Sequence, residues 1–108
     1  MEGSMKGEVV VVPFPFSDLS QAKSRPALVL IDLPGVDVVL AAITSTRSEP
    51  HAIALERKDF KAGELSHSSY IHPAKLFTFQ KSLIRKVVGS ITEAKRKEVV
   101  TQIVSLLG

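Results

Sequence analysis

The sequence predicts a mainly β, α+β fold: five to seven short antiparallel strands in a small barrel or strongly curved sheet, closed by one C-terminal amphipathic helix. Three observations lead there. Short β-branched runs such as Val9-Val10-Val11-Val12 and Ala27-Leu28-Val29-Leu30-Ile31 recur at close spacing, each bounded by proline, glycine or a polar loop. Only the last segment carries a helical repeat: Val99, Val100, Ile103, Leu106 and Leu107 form one apolar stripe opposite Glu98, Thr101 and Ser105. Finally, 108 residues with 44% hydrophobic and 23% charged side chains suit one domain, residues 1–108, with a real core rather than disorder.

The elements follow in chain order. Glu8 to Val12 is too short and too β-branched for a helix, and Pro13-Phe14-Pro15-Phe16 stops it by deleting ladder donors, so this strand ends at a sheet edge or bend. The polar loop 17–24 leads to Arg25-Pro26. A residue before proline is pushed to extended conformations, which sets Arg25 at a strand entrance with a defined direction. Leu33-Pro34-Gly35 reads as a tight turn joining Ala27–Ile31 to a strand Val36–Ile43, which ends in the polar loop Thr44-Ser45-Thr46-Arg47-Ser48. His51–Leu55 alternates as a short strand, and Lys58–Glu64 reads as a helical turn broken by Gly63. Extended segments Ser69–His72 and Lys75–Phe79 flank Pro73, another covers Ile84–Val88 before Gly89, and Thr92 can N-cap the helix.

Charge is uneven. Residues 1–54 hold four basic and six acidic side chains, whereas residues 55–108 hold ten and five, and the whole chain carries +3 with a pI near 9.4. Such a balance suits either a solvated basic face or contact with a polyanion. The absence of cysteine excludes disulfides, thiolate metal sites and a cysteine nucleophile, and suits a reducing, cytoplasmic compartment. No apolar run approaches the ~20 residues of a membrane helix, no secretory leader is expected, and Met5 reads as an alternative start.

Four blocks in order resemble the MazF/PemK family of toxin endoribonucleases, and more closely its PemK-like branch. They are Gly7-Glu8-Val9-Val10-Val11-Val12 with Pro13-Phe14; Arg25-Pro26-Ala27-Leu28-Val29-Leu30; Ala42-Ile43-Thr44-Ser45; and Ser69-Tyr70-Ile71-His72-Pro73-Ala74-Lys75-Leu76-Phe77-Thr78, with Gly89 before the last helix. The resemblance implies an SH3-like, plasmid-maintenance-toxin barrel, a homodimer, and cleavage of single-stranded RNA without metal or other cofactor, held off by a cognate antitoxin protein. It also implies catalytic roles for Arg25 and Thr44. One departure stands out: Phe77 and Gln80 occupy positions where MazF proper has an arginine and an aspartate, so a MazF-like sequence preference does not carry over.

Metal-free RNA cleavage uses the neighbouring 2′-hydroxyl as nucleophile. The protein must draw off its proton, stabilise charge on the phosphorane-like transition state and protonate the leaving 5′-oxygen. The planar guanidinium of Arg25 suits the second task, and the Thr44 hydroxyl can donate to a phosphate oxygen or orient the 2′-hydroxyl. Without the resemblance, Arg25 reads as a surface residue paired to Asp18, and Thr44 as a strand-ending hydroxyl bonded to its loop. Arginine is a poor base, so another group must take the proton. His51, His67 and His72 titrate in the right range, but none lies in a block that carries the family's catalysis, and surface or hydrogen-bonded structural roles are expected for all three. Their spacing makes a zinc site a weak idea. For RNA contact the candidates are Phe16, Ser17, Lys23, Ser45 and Arg47, with core packing the competing role for Phe14 and Phe16. Two other classes compete: a gyrase-poisoning toxin of the same barrel, as in the CcdB group, and a silent nucleic-acid-binding barrel. The first depends on a tryptophan of the last helix, and this chain has none.

Overall fold

The computed structural model describes residues 4–14 and 23–108. The strands are β1 (Glu8–Phe14), β2 (Lys23–Asp32), β3 (Asp37–Thr44), β4 (Ile53–Leu55), β5 (Phe60–Gly63), β6 (Ser69–Gln80) and β7 (Lys86–Ile91), followed by the helix α1 (Glu93–Leu107). All pairings are antiparallel, and the seven strands form one sheet in the order β4-β6-β3-β2-β1-β7-β5.

The connection between the two edge strands dictates the curvature. In a flat sheet the seven strands of this order would set β4 and β5 roughly 29 Å apart. Yet only residues 56–59, with a single 3₁₀ turn at Arg57–Asp59, join Leu55 to Phe60, a path of at most about 17 Å even fully extended. The sheet therefore curls into a half-barrel. Breaks in register at Val9/Val10, Val29/Ile31, Ala41/Ala42 and Phe60/Ala62 supply the local bends.

Because the sheet is covered on both sides, its central strands are apolar without alternation. Val9, Leu28, Ala41 and Ile43 join Ile53, Leu55, Ile71, Ile91 and Val99 in one cluster, against which Ile103 of α1 packs. Val10, Val12, Ala27, Val29, Val38 and Leu40 form a second on the opposite face, packed by Met5, Phe77, Phe79 and Ile84. Phe77, the departure noted above, is thus a packing residue, its ring edge-on to Phe79 at 5.3 Å.

Several expectations need correction. The segment after Lys58 is not a helical turn up to Glu64. The turn is confined to Arg57–Asp59, and Phe60–Gly63 is a strand. Gly63 has φ +70° and lies so close to β7 that an added Cβ would sit 2.1 Å from the Val88 carbonyl oxygen, so its role is close strand approach rather than helix breaking. The two segments around Pro73 are one strand: Ala42 faces His72 and Ala41 faces Leu76, which loops out the three intervening residues and puts the proline where no ladder donor is needed. Pro13 lies inside β1, but β7 pairs only with Glu8–Val11, so the proline end faces β2 alone. Thr92 does cap α1, accepting from the Lys95 amide at 3.1 Å, but the apolar stripe is largely uncovered. Val99 is buried, whereas Val100, Leu106 and Leu107 are exposed.

Candidate active site

The site begins where β2 and β3 part. Their last ladder pair is Ala27↔Ala42, and the next residue on β2 is Pro26, which has no amide hydrogen to continue the ladder. Two residues beyond that pair stand Arg25 on β2 and Thr44 on β3. Residues two apart on a strand, and residues directly paired across an antiparallel ladder, project from one face, so both share the face of Ala27, Ala42 and Val12. Arg25 and Lys23 are exposed and Thr44 is half-buried, so a cationic rim borders a partly sheltered hydroxyl. Among the described residues Arg25 has no ion pair, and Asp18, its alternative partner, lies outside them.

Behind Thr44 stands a group that sequence reasoning placed among structural or surface residues. His72 is fully buried, and its Nε2 lies 2.6 Å from Thr44 Oγ1. The register explains the contact: His72 opposes Ala42, so it is diagonal to Thr44 across the β3–β6 pair. Its Nδ1 faces Glu49 Oε2 at 3.8 Å, beyond hydrogen-bond range, and Nδ1 and Glu49 Oε1 are both buried without a hydrogen-bond partner. Thr44 Oγ1 also lies 2.7 Å from the exposed Thr46 carbonyl, to which it can donate. Burial, reinforced by the charge of Lys75, holds the His72 pKa below the ordinary histidine value; Glu49 and the Thr46 backbone pull the other way. His72 is accordingly neutral at pH 7.

The remaining candidates are spread around this end of the sheet. Ser45 is exposed just beyond Thr44, and Arg47, also exposed, donates to the Pro50 carbonyl at 3.3 Å. Phe16 and Ser17 lie outside the described residues. His51 and His67 are exposed, as expected. A further cation is brought in by tertiary structure: Arg85, ahead of β7, donates to Ser24 Oγ at 2.6 Å and so joins Lys23 and Arg25 at the start of β2. A signal for His72 existed in the sequence. Ile71 and His72 are adjacent in a strand and point to opposite faces, and a polar residue beside a proline-marked bulge is a place to look for chemistry.

A model of PemK-like, MazF-like toxins of type II toxin-antitoxin systems matches residues 5–107. The chain belongs to that toxin family. No curated protein matches it in sequence. Among solved structures, this PemK-like toxin is similar to an endoribonuclease in complex with its cognate antitoxin from a mycobacterial species, at 20% identity and TM-score 0.76, with 96% of this chain and 94% of that one covered. It is also similar to MazF from Deinococcus radiodurans, at 22% identity and TM-score 0.72 over 95% and 94% of the two chains. The MazE–MazF structure from the same organism gives 20% identity and TM-score 0.71 over 95% and 93%. These likenesses establish the shared fold. No helix among the described residues of the toxin is long and apolar enough to cross a membrane.

Proposed function

We propose that this PemK-like, MazF-like toxin is a metal-independent endoribonuclease that cuts single-stranded RNA, mRNA included, by attack of the 2′-hydroxyl on the adjacent phosphate. The observation that supports the reading is that Arg25 and Thr44 each stand two residues beyond the last β2–β3 pair, on one face, where the two strands open to solvent. In this reading Arg25 binds two non-bridging phosphate oxygens and stabilises the charge that grows on them. Thr44 directs its hydroxyl at the reacting sugar–phosphate unit. Lys23, Ser45 and Arg47 hold the flanking RNA backbone, with Arg47 exchanging its Pro50 carbonyl for phosphate, and Phe16 and Ser17 contribute from the β1–β2 connection. That the mycobacterial neighbour is an endoribonuclease with a cognate antitoxin supports an RNA substrate and an antitoxin partner; a cytoplasmic site of action goes with that substrate and with the absence of cysteine. The exposed Val100, Val104, Leu106 and Leu107 of α1 suit burial in a homodimer or under an antitoxin.

Incubating the purified protein with a long, structure-poor RNA in EDTA and mapping the ends tests this directly. Cleavage is expected to leave 2′,3′-cyclic phosphate or 3′-phosphate ends. Arg25→Ala is expected to lose ~10²-fold or more in rate with an unchanged circular dichroism spectrum. Wild-type rates in Arg25→Ala would remove the arginine from the mechanism, and 3′-hydroxyl ends or strict Mg²⁺ dependence would indicate attack by water instead.

A further inference from the structure

Arginine cannot take a proton from the 2′-hydroxyl, so the function proposed above lacks a base. The buried cluster behind Thr44 offers one. Its hydrogen bonds can be arranged in two ways, because the single hydroxyl proton of Thr44 can go to the Thr46 carbonyl or to His72 Nε2. In the first arrangement His72 carries its proton on Nε2, and a bare Nδ1 lone pair faces the Glu49 carboxylate inside the protein. Two acceptors then oppose each other at a buried position, which is costly. In the second arrangement the proton sits on Nδ1 and faces Glu49, Nε2 accepts from Thr44, and only the Thr46 carbonyl gives up a protein partner. That carbonyl belongs to an exposed residue and water can replace the bond. The carboxylate thus selects the tautomer, and a small side-chain movement closes the 3.8 Å gap to a hydrogen bond.

The result is a hydroxyl–imidazole–carboxylate array whose hydroxyl shares the open face of the sheet with Arg25. We propose that His72, oriented by Glu49, is the proton acceptor of the cleavage step and acts through Thr44, an inference that rests on the RNA-cutting function above. As the 2′-oxygen bonds to phosphorus, its proton passes to Thr44 Oγ1 while the proton of Thr44 passes to His72 Nε2. The P–O5′ bond breaks, and its electron pair leaves on the 5′-oxygen, which takes a proton from water. The imidazolium faces Glu49 and afterwards returns its proton through Thr44 to the hydroxide formed. His72 does not touch substrate and is a positioning and proton-holding residue. The charged groups that act on it are Glu49 from the β3–β4 loop and Lys75 from its own strand, with Arg25 at the neighbouring strand end on the same face.

The test is kcat and KM for a labelled single-stranded RNA of mixed sequence in EDTA, from about pH 5 to pH 9, with ¹⁵N imidazole spectra of the wild-type protein alongside. The wild-type log kcat is expected to rise with a one-proton slope on the acid side and then level. His72→Gln is expected to lose that limb and ~10²-fold or more in kcat, with KM within about threefold. Glu49→Gln is expected to keep the limb but shift it to lower pH, because the carboxylate no longer favours the imidazolium. The spectra are expected to show the Nδ1–H tautomer, a readout that needs no variant to fold. An Nε2–H tautomer throughout, or a cutting wild type whose acid limb survives in folded His72→Gln, would overturn this role alone. A wild type that leaves the RNA intact would overturn the cleavage function, and this role with it.

Discussion

Replacing Thr44 by valine exchanges one hydroxyl for one methyl at nearly constant volume, so the change reads the hydrogen bonds and little else. Two bonds are lost, and they are unequal. The Thr46 carbonyl is exposed and rehydrates at almost no cost. The His72 nitrogen is in a side chain with 0% exposure and stays unpaired, a penalty of about 1–3 kcal/mol. Valine suits a strand slightly better than threonine, which offsets a few tenths at most. The expected loss is therefore about 2 kcal/mol. With an unfolding entropy of about 2.1 cal/mol/K per residue over 108 residues, each kcal/mol lowers Tm by about 4.4 °C, so Thr44→Val is expected to melt about 9 °C below wild type at pH 7. Thr44→Ser keeps the hydroxyl and is expected to lie between them. Thr78→Val, at an exposed position of β6, is the control and is expected to stay within about 0.5 kcal/mol of wild type. Melts followed by circular dichroism decide the matter. A Thr44→Val protein as stable as the control would refute the account of Thr44 as the partner of a buried histidine.

Two further expectations come from the packing and the ion pairs. Val99→Ala, at a fully buried position, is expected to cost about 2–3 kcal/mol in transfer and cavity terms, whereas Val104→Ala, 59% exposed on the same helix, is expected to stay within about 0.5 kcal/mol; equal losses in denaturant titrations would mean that the outer face of α1 is covered in solution. Hydrogen bonds from the Lys81 ammonium and the Met5 amide hold the Asp32 carboxyl below its usual pKa. A depressed folded-state pKa gives stability that is present above the unfolded value and lost as pH falls through the folded one. Asp32→Asn is therefore expected to be less stable than wild type at neutral pH, with the two Tm values converging as acid protonates Asp32; a constant gap would show that the carboxylate's charge is not what stabilises the β2–β3 turn.

The strand-end positions of Arg25 and Thr44 were legible in the sequence because they are local, whereas the roles proposed for them came from the family resemblance. A proline after Arg25 fixes an extended entrance to β2 whatever surrounds it, and Thr44 follows an apolar run that can only be a strand. The strand content, the hairpin at Leu33-Pro34-Gly35 and the Thr92 cap rest on short-range sterics and hydrogen bonding, and all appear in the fold. The four ordered blocks named the family through residues 7–89, and the family model covers them.

What the chain could not reveal in one dimension depends on register and closure. That Arg25 and Thr44 share one face follows from which residues of β1, β2 and β3 pair, and the contact of His72 with Thr44 from a β3–β6 ladder that a bulge resets by three residues. Histidine titrates near neutrality in any peptide; burial, with Lys75, depresses the pKa of this one against the pull of Glu49, whose carboxylate lies 3.8 Å from Nδ1 and comes from a part of the chain more than twenty residues away. The helical stripe makes the converse point. Its periodicity determined that α1 would be amphipathic, but which part of the stripe meets the core is decided by where the helix lies on the sheet: Val99 is buried, Ile103 packs against the same cluster, and Leu107 is left to solvent.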